Sequence, residues 1–258
     1  PRNTMIAVGE DIDYALVKVG TERLIFAKDL VDQVMKIAKI EEYEVEQEFK
    51  GKALAGIVCK HPFLDRTSTV VTGTEDSVNV ELGTGSGCVH CAPSYGKEDY
   101  LLGLKHNSEI IVTVDSKGVQ RGEGSGPFKD MYYAKSDKEI IKWLEENNLL
   151  LASEVVNHSY PHCWRCKTPL VYYSKPSLYI KVTDFKDKII EANKKVNWYP
   201  DYVGEKRFGN WLENMNDWAI SRNRYWGTPI PLWRCSCGHD EMIGSRDELV
   251  EKAIENGQ

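Results

Sequence analysis

The chain has 258 residues, enough for one large or two modest domains with a sizeable core. Apolar residues make up 41% and charged residues 28%, no uninterrupted apolar run approaches the ~18 residues of a membrane span, and nothing at the start resembles a signal peptide. Membrane, collagenous and disordered classes are therefore excluded, and a net charge of -6 argues against a protein that clamps nucleic acid over its whole surface.

Taken in chain order, residues 4–8, 14–19 and 23–27 are β-rich, the first two separated by a turn-like Gly-Glu-Asp-Ile-Asp. A helix should follow from Asp29 as N-cap, with Leu30, Val31, Val34, Met35, Ile37 and Ala38 as its apolar stripe. Short apolar runs at 53–59 and 69–72 precede glycine-rich punctuation at 83–87 and 122–126. Helices are expected at 96–106 and from Ser136 to the Asn147-Asn148 stop, with strands flanking both. Beyond His158 the chain turns to Pro, Trp and Cys punctuation, then strand-like 170–174 and 178–182, then helices near 184–195 and 204–214. The opening Pro1-Arg2-Asn3 has no initiator methionine and reads as a fragment cut from a longer protein.

Charge follows a matching division. Residues 1–157 carry 18 Lys+Arg and 26 Asp+Glu, residues 158–234 carry 13 and 7, and residues 235–258 carry 2 and 6. We place a boundary near residue 157 on this basis. The basic stretch holds six of the seven tryptophans, a composition suited either to RNA contact or to a core built around tryptophan with solvated lysines outside.

Three features bear on chemistry. GTGSGCVHCAPSYGKEDY, residues 83–100, packs glycines before His90 and leads to an acid, Asp99, in the first turn of the next helix. A strand-end histidine and a helix-start carboxylate can converge on one pocket, although glycine loops often merely turn and a carboxylate there also offsets the helix dipole. Seven cysteines, an odd number, do not suggest a disulfide framework. Cys163 and Cys166, spaced C-x-x-C, offer half of a tetrahedral zinc set, and Cys235 and Cys237 near His239 offer another half; a redox pair or two buried thiols are the other readings of a C-x-x-C. Finally, Arg222 and Arg224, at i and i+2 beside Tyr225 and Trp226, would share one face of a strand and meet phosphates or carboxylate partners. Trp218 and Trp226 are expected in the core.

The 83–100 run resembles the editing-pocket signature GTGxVHxAPxxGxxDY of isoleucyl-tRNA synthetases. HSYPHCWRCKTPLVYYSKPSLYIK and NWLENMNDWAISRNRYWGTPIPLW resemble the segments where that chain re-enters its catalytic core. The resemblance covers essentially the whole chain. It departs in two places: GTGSGCVH offers two overlapping Gly-x-Gly alignments, through Gly85 or Gly87, and Leu178 stands where tryptophan is usual.

The resemblance implies an α/β fold, with a β-rich mixed editing domain over 1–157, a return segment of a Rossmann-like core over 158–234, and the start of a zinc-binding stretch over 235–258. It implies that Asp99 holds the α-ammonium of a misattached amino acid, that His90 borders the side-chain pocket, and that Gly85, Gly87, Arg222 and Arg224 contact substrate. Zinc would sit on Cys163, Cys166, Cys235 and Cys237, in half-sites whose partners lie elsewhere. ATP and magnesium would serve the parent enzyme only, since the His-Ile-Gly-His and Lys-Met-Ser-Lys-Ser signatures do not occur here. The threonine-rich strand of the pocket should end just before Pro1. Expected partners are the tRNA(Ile) acceptor end and valyl-tRNA, with no membrane, for a monomer in the cytoplasm. A valyl or leucyl parent is the first rival, at the cost of His90, where the valyl pattern has lysine. A non-catalytic zinc module that binds RNA or protein is the second.

Overall fold

The computed structural model describes residues 2–73, 78–83, 85–155, 157, 159–221 and 227–255. It is a mixed helix and sheet structure that divides into two compact units, Pro1–Ser174 and Lys175–Gln258. That division rests on spatial compaction, whereas the sequence boundary near 157 rests on charge and family pattern.

In the first unit, β1 (Met5–Gly9), β2 (Asp13–Val19) and β3 (Glu22–Ala27) follow the β-rich runs. The helix α1 (Val31–Ala38) buries Val31, Val34 and Met35 at helical spacing, but Asp29 does not cap it. A 3-10 turn over Lys28–Leu30 comes first and Leu30 occupies the N-cap position, because burial of the Leu30 side chain, 2% exposed, fixes the chain there. Strand β4 (Glu44–Lys50), EVEQEFK, has no sequence signature of a strand. It forms the edge of a three-stranded sheet, order β3-β2-β4, where charged side chains are at home and Glu46 and Glu48 meet Arg23 and Lys28 at 2.6 Å.

The second sheet contains β5 (Val58–Lys60), β6 (Thr67–Gly73) and β7 (Val89–Cys91) in the order β5-β6-β1-β7, with β1 parallel to β6 and antiparallel to β7. The run at 53–59 splits into a 3-10 turn over Gly51–Leu54 and β5. One core cluster joins Val8, Tyr14, Val17, Phe26, Met35 and Val70; another joins Met5, Ala7, Val71, Cys91 and Leu102. Helix α2 (Lys97–Lys105) covers the second cluster through Leu102. Helix α3 (Tyr133–Glu146) starts ahead of Ser136, whose hydroxyl instead donates back to the Tyr133 carbonyl at 2.6 Å. Among the described residues strands do not flank α3 as expected; isolated bridges such as Val119 with Tyr132 lead into it.

The expected strand at 170–174 is irregular, leaving a hairpin closed by a His162–Pro169 bridge. In the second unit, β8 (Tyr179–Ile180) pairs with β9 (Trp218–Ala219), and β10 (Leu232–Arg234) with β11 (Asp240–Met242). Helices α4 (Lys186–Asn193), α5 (Gly209–Glu213), preceded by a π-turn over Val203–Phe208, and α6 (Arg246–Glu255) complete it. Trp218 is not core: it is 63% exposed, and among the described residues of this unit only Leu212 and Ile243 are buried apolar side chains. Two- and three-residue strands offer no facing layer wide enough to bury an indole. Trp226 lies outside the described residues.

Candidate active site

The glycine loop is held by its backbone. Gly87 adopts φ +76°, and a Cβ there would lie 2.4 Å from the Ala27 Cβ, so a side chain is excluded twice over. Its carbonyl accepts the buried Tyr14 hydroxyl at 2.6 Å, the same oxygen that accepts the Gly9 N–H at 3.0 Å, and Ala27 N–H donates to the Ser86 carbonyl at 2.8 Å. Burial pushes the Tyr14 pKa up, keeping the hydroxyl protonated as this relay requires. Gly85 also has a positive φ, +78°, but open space around its Cα. With Ser86 it walls an apolar recess of about 440 Å³ completed by Leu24, Ile25, Phe26 and Val34; neither His90 nor Asp99 lines that recess.

The loop delivers the chain into β7, where His90 pairs with Ile6. Crowding by protein lowers the His90 pKa, Arg2 adds to the effect and the Asp99 charge opposes it, so the imidazole is neutral at physiological pH. Its residue nevertheless keeps an open face to solvent. Burial pushes the flanking thiols up, Cys88 to about 11 and Cys91 to about 12, which removes either as a thiolate nucleophile.

Asp99 stands in the first turn of α2 and folds back over the loop that joins it to β7. Its Oδ2 accepts the Ala92 N–H at 2.8 Å, and Gly96, which begins the helix without a side-chain cap, leaves room for the carboxylate at 3.2 Å from where a Cβ would sit. Oδ1 is bonded to no described residue. His90 and Asp99 are thus brought into one electrostatic neighbourhood.

Sequence reasoning missed three neighbours. Arg2 lays its guanidinium 4.2 Å above the Tyr95 ring and its Nε 3.3 Å from Thr113 Oγ1, while the Tyr95 hydroxyl accepts the Thr113 N–H at 2.7 Å. Only contact across the fold reveals this brace, since Tyr95 occupies an unspecified position of the motif.

Cys163 and Cys166 sit on the tight hairpin, where Cys163 N–H donates to Thr168 at 2.8 Å. Hydrogen bonds from Thr168 first, and then from Cys163, bring the Cys166 thiol down to about 7, a state fit for metal ligation. Cys235 is likewise lowered, by the Cys237 N–H and then its thiol. Each pair supplies two sulfurs, and among the described residues no three His, Cys, Asp or Glu side chains gather as a ligand set. Arg222 and Arg224 lie outside the described residues.

A family description, tRNA synthetases class I (I, L, M and V), matches residues 10–258, and the chain belongs to that family. Its curated relatives include isoleucine–tRNA ligases. That of Clostridium novyi (strain NT) is 43% identical over 98% of this chain, and that of Clostridium tetani (strain Massachusetts / E88) 44% identical over 99%. The isoleucine–tRNA ligase of Petrotoga mobilis (strain DSM 10674 / SJ95) is 43% identical over 99% of the chain. The chain spans 24% of the length of the first two and 28% of the third. A solved structure described as GlLeuRS-CP1 aligns with a TM-score of 0.47 at 15% identity, covering 60% of this chain and 79% of that one, a likeness that carries no weight for function.

Proposed function

We propose that the chain is a segment of an isoleucyl-tRNA synthetase, a cytoplasmic, monomeric enzyme that joins isoleucine to tRNA with ATP and magnesium, and that residues 1–157 hydrolyse valyl-tRNA formed in error. The observation that supports this reading is the placement of His90 on β7 and of Asp99 in the first turn of α2, its carboxylate folded back onto the loop that joins them, in a chain 43% identical to an isoleucine–tRNA ligase. The need is energetic: a pocket that holds isoleucine admits valine at a penalty of only about 1–3 kcal/mol, a magnitude already established for this discrimination, so a second and smaller site must sort the product.

The chemistry follows from what each group can do. Asp99 Oδ1 receives the free ammonium of the misattached residue and fixes the ester. His90, neutral, narrows the side-chain pocket so that valine enters and isoleucine does not. Water then attacks the ester carbonyl with the free vicinal hydroxyl of the terminal ribose assisting, the bond to the esterified ribose oxygen breaks and that oxygen leaves as the alcohol, and neither side chain has to act as general base. Gly85 and Gly87 shape the loop, Arg222 and Arg224 meet acceptor-strand phosphates, and the two cysteine pairs hold zinc with partner cysteines from the rest of the parent chain. Zinc braces the fold and takes no part in hydrolysis.

The test is deacylation of valyl-tRNA(Ile) and isoleucyl-tRNA(Ile) by the chain, alone and with a threonine-rich strand of the family pattern added at its N-terminus. Hydrolysis of the valyl ester alone, with His90→Ala also cleaving the isoleucyl ester, is expected. Cleavage of neither ester, or equal cleavage of both by the parent chain, overturns the proposal.

A further inference from the structure

Between Glu154 and Asp184 the sequence contains no acidic residue, yet it carries Arg165, Lys167, Lys175 and Lys181 in a protein of net charge -6. The part of this stretch within the first unit is a hairpin with a defined shape. Leu170 N–H donates to the Pro161 carbonyl at 3.0 Å, Lys167 N–H donates to the Cys163 carbonyl and Cys163 N–H to the Thr168 carbonyl, each at 2.8 Å, and the Tyr160 hydroxyl donates to the Leu170 carbonyl at 2.8 Å. Lys167, at φ +60°, turns the chain back. At the tip, Trp164 is 67% exposed, with the Arg165 guanidinium stacked 4.8 Å from its ring on one face. Tyr172, further down the hairpin, is 68% exposed.

A large aromatic that is held out into water, braced by a cation and flanked in sequence by basic and no acidic residues, is poorly suited to an aliphatic partner and well suited to a nucleobase. The open face of the indole stacks on any base, and Arg165 and Lys167 meet the adjoining phosphates. The hairpin is also tethered to the candidate site: Ser174 N–H donates at 2.7 Å to the carbonyl of Ser94, which lies in the loop between His90 and Asp99. Chain connectivity keeps Trp164 within about 40 Å of that loop.

We infer that the 160–172 hairpin is an RNA-docking element in which Trp164 stacks on an unpaired base while Arg165 and Lys167 neutralise its phosphates. The choice of RNA over another polyanion rests on the reading of the chain as part of a tRNA synthetase. The element holds single-stranded RNA near the ester whose fate the editing pocket decides.

The test measures binding of the whole chain to a fluorescein-labelled single-stranded 12-mer of RNA, and to deacylated tRNA, by anisotropy at several salt concentrations. Trp164→Ala is expected to weaken binding on the order of tenfold and Trp164→Phe much less. Arg165→Gln with Lys167→Gln should flatten the log-affinity against log-salt slope by about 1.4, the equivalent of two phosphates. The charge variant leaves Trp164 and both cysteines in place, so it decides the matter even if Trp164→Ala unfolds the hairpin. Unchanged affinity and slope in these variants overturns the inference, as does the absence of RNA binding by the parent chain. Two further results would also overturn it: heparin bound with the same dependence on Trp164, or Trp164-dependent self-association in place of RNA binding. Failure of valyl-tRNA hydrolysis with Trp164-dependent RNA binding intact defeats the editing proposal alone, and hydrolysis without such binding defeats this one alone.

Discussion

Gly87→Ala isolates what the glycine loop requires. The new Cβ is placed 2.4 Å from the Ala27 Cβ and 3.2 Å from the Ala27 nitrogen, and that nitrogen is already committed to the Ser86 carbonyl. Neither atom is the end of a flexible side chain, so the strand and loop must part. A left-handed conformation costs an alanine about 1–2 kcal/mol, and overpacking of a close contact about 1–3 kcal/mol more, giving roughly 2–5 kcal/mol in total. Gly85→Ala is the control: the backbone angle is nearly the same, +78° against +76°, but among the described residues beyond its chain neighbours no atom lies within 4 Å of the added methyl group, so only the conformational part remains. Hydrogen exchange of the β1 and β2 amides measures both on the same scale, independently of the second unit. Equal destabilisation by the two variants would refute the close-packing argument and with it the assignment of Gly87 as the structural glycine of the two overlapping alignments.

Tyr14→Phe should cost about 1–3 kcal/mol by the same exchange measurement, because it strands the Gly9 N–H and the Gly87 carbonyl; a neutral result would mean water replaces the hydroxyl. His61, 3% exposed, has its pKa lowered from 6.5 to about 4, by burial first and then by Arg66. The unfolded chain therefore binds the extra proton, so this contribution to stability is complete above 6.5 and is lost as pH falls towards 4, with a slope of at most about 1.4 kcal/mol per pH unit. An imidazole resonance of His61 titrating at its ordinary value would contradict it. Zinc analysis after gel filtration should find less than one tightly held ion per chain, since each pair offers two of four thiolates; one stable zinc lost on both Cys163→Ser and Cys235→Ser would show otherwise.

What the sequence disclosed depended on how local the cause was. Strands β1 and β2 and helix α1 announce themselves because apolar periodicity and burial agree there, as in Val31, Val34 and Met35. β4 was illegible because EVEQEFK forms an edge whose pairing with β2, not its side chains, makes it a strand. Trp218 misled because hydrophobicity predicts burial only where a facing layer exists. At the candidate site, His90 and Asp99 could be named from spacing and resemblance. The Arg2–Tyr95 brace and the Tyr14 relay through Gly87 join residues far apart in sequence, and no periodicity encodes them.

Asp99 carries the sharpest remaining question, because its Oδ2 already has a structural task. Asp99→Ala removes the acceptor of the Ala92 N–H along with the charge, so a loss of activity in that variant has two explanations. Asp99→Asn separates them. The amide oxygen still accepts the Ala92 N–H, which turns the NH₂ group towards the position of Oδ1 and presents a donor where the substrate ammonium needs an acceptor. If Asp99 anchors that ammonium, the charge-assisted bond of about 1.5–3 kcal/mol is lost, and kcat/KM for valyl-tRNA should fall by roughly 10- to 150-fold while exchange protection of the 92–96 loop stays near that of the parent. If the carboxylate serves only the loop and the helix dipole, the same substitution should cost about 0.3–1 kcal/mol of stability and leave deacylation intact. Full activity in Asp99→Asn together with a loosened loop in Asp99→Ala would remove Asp99 from the hydrolytic site and leave it as the clasp between β7 and α2.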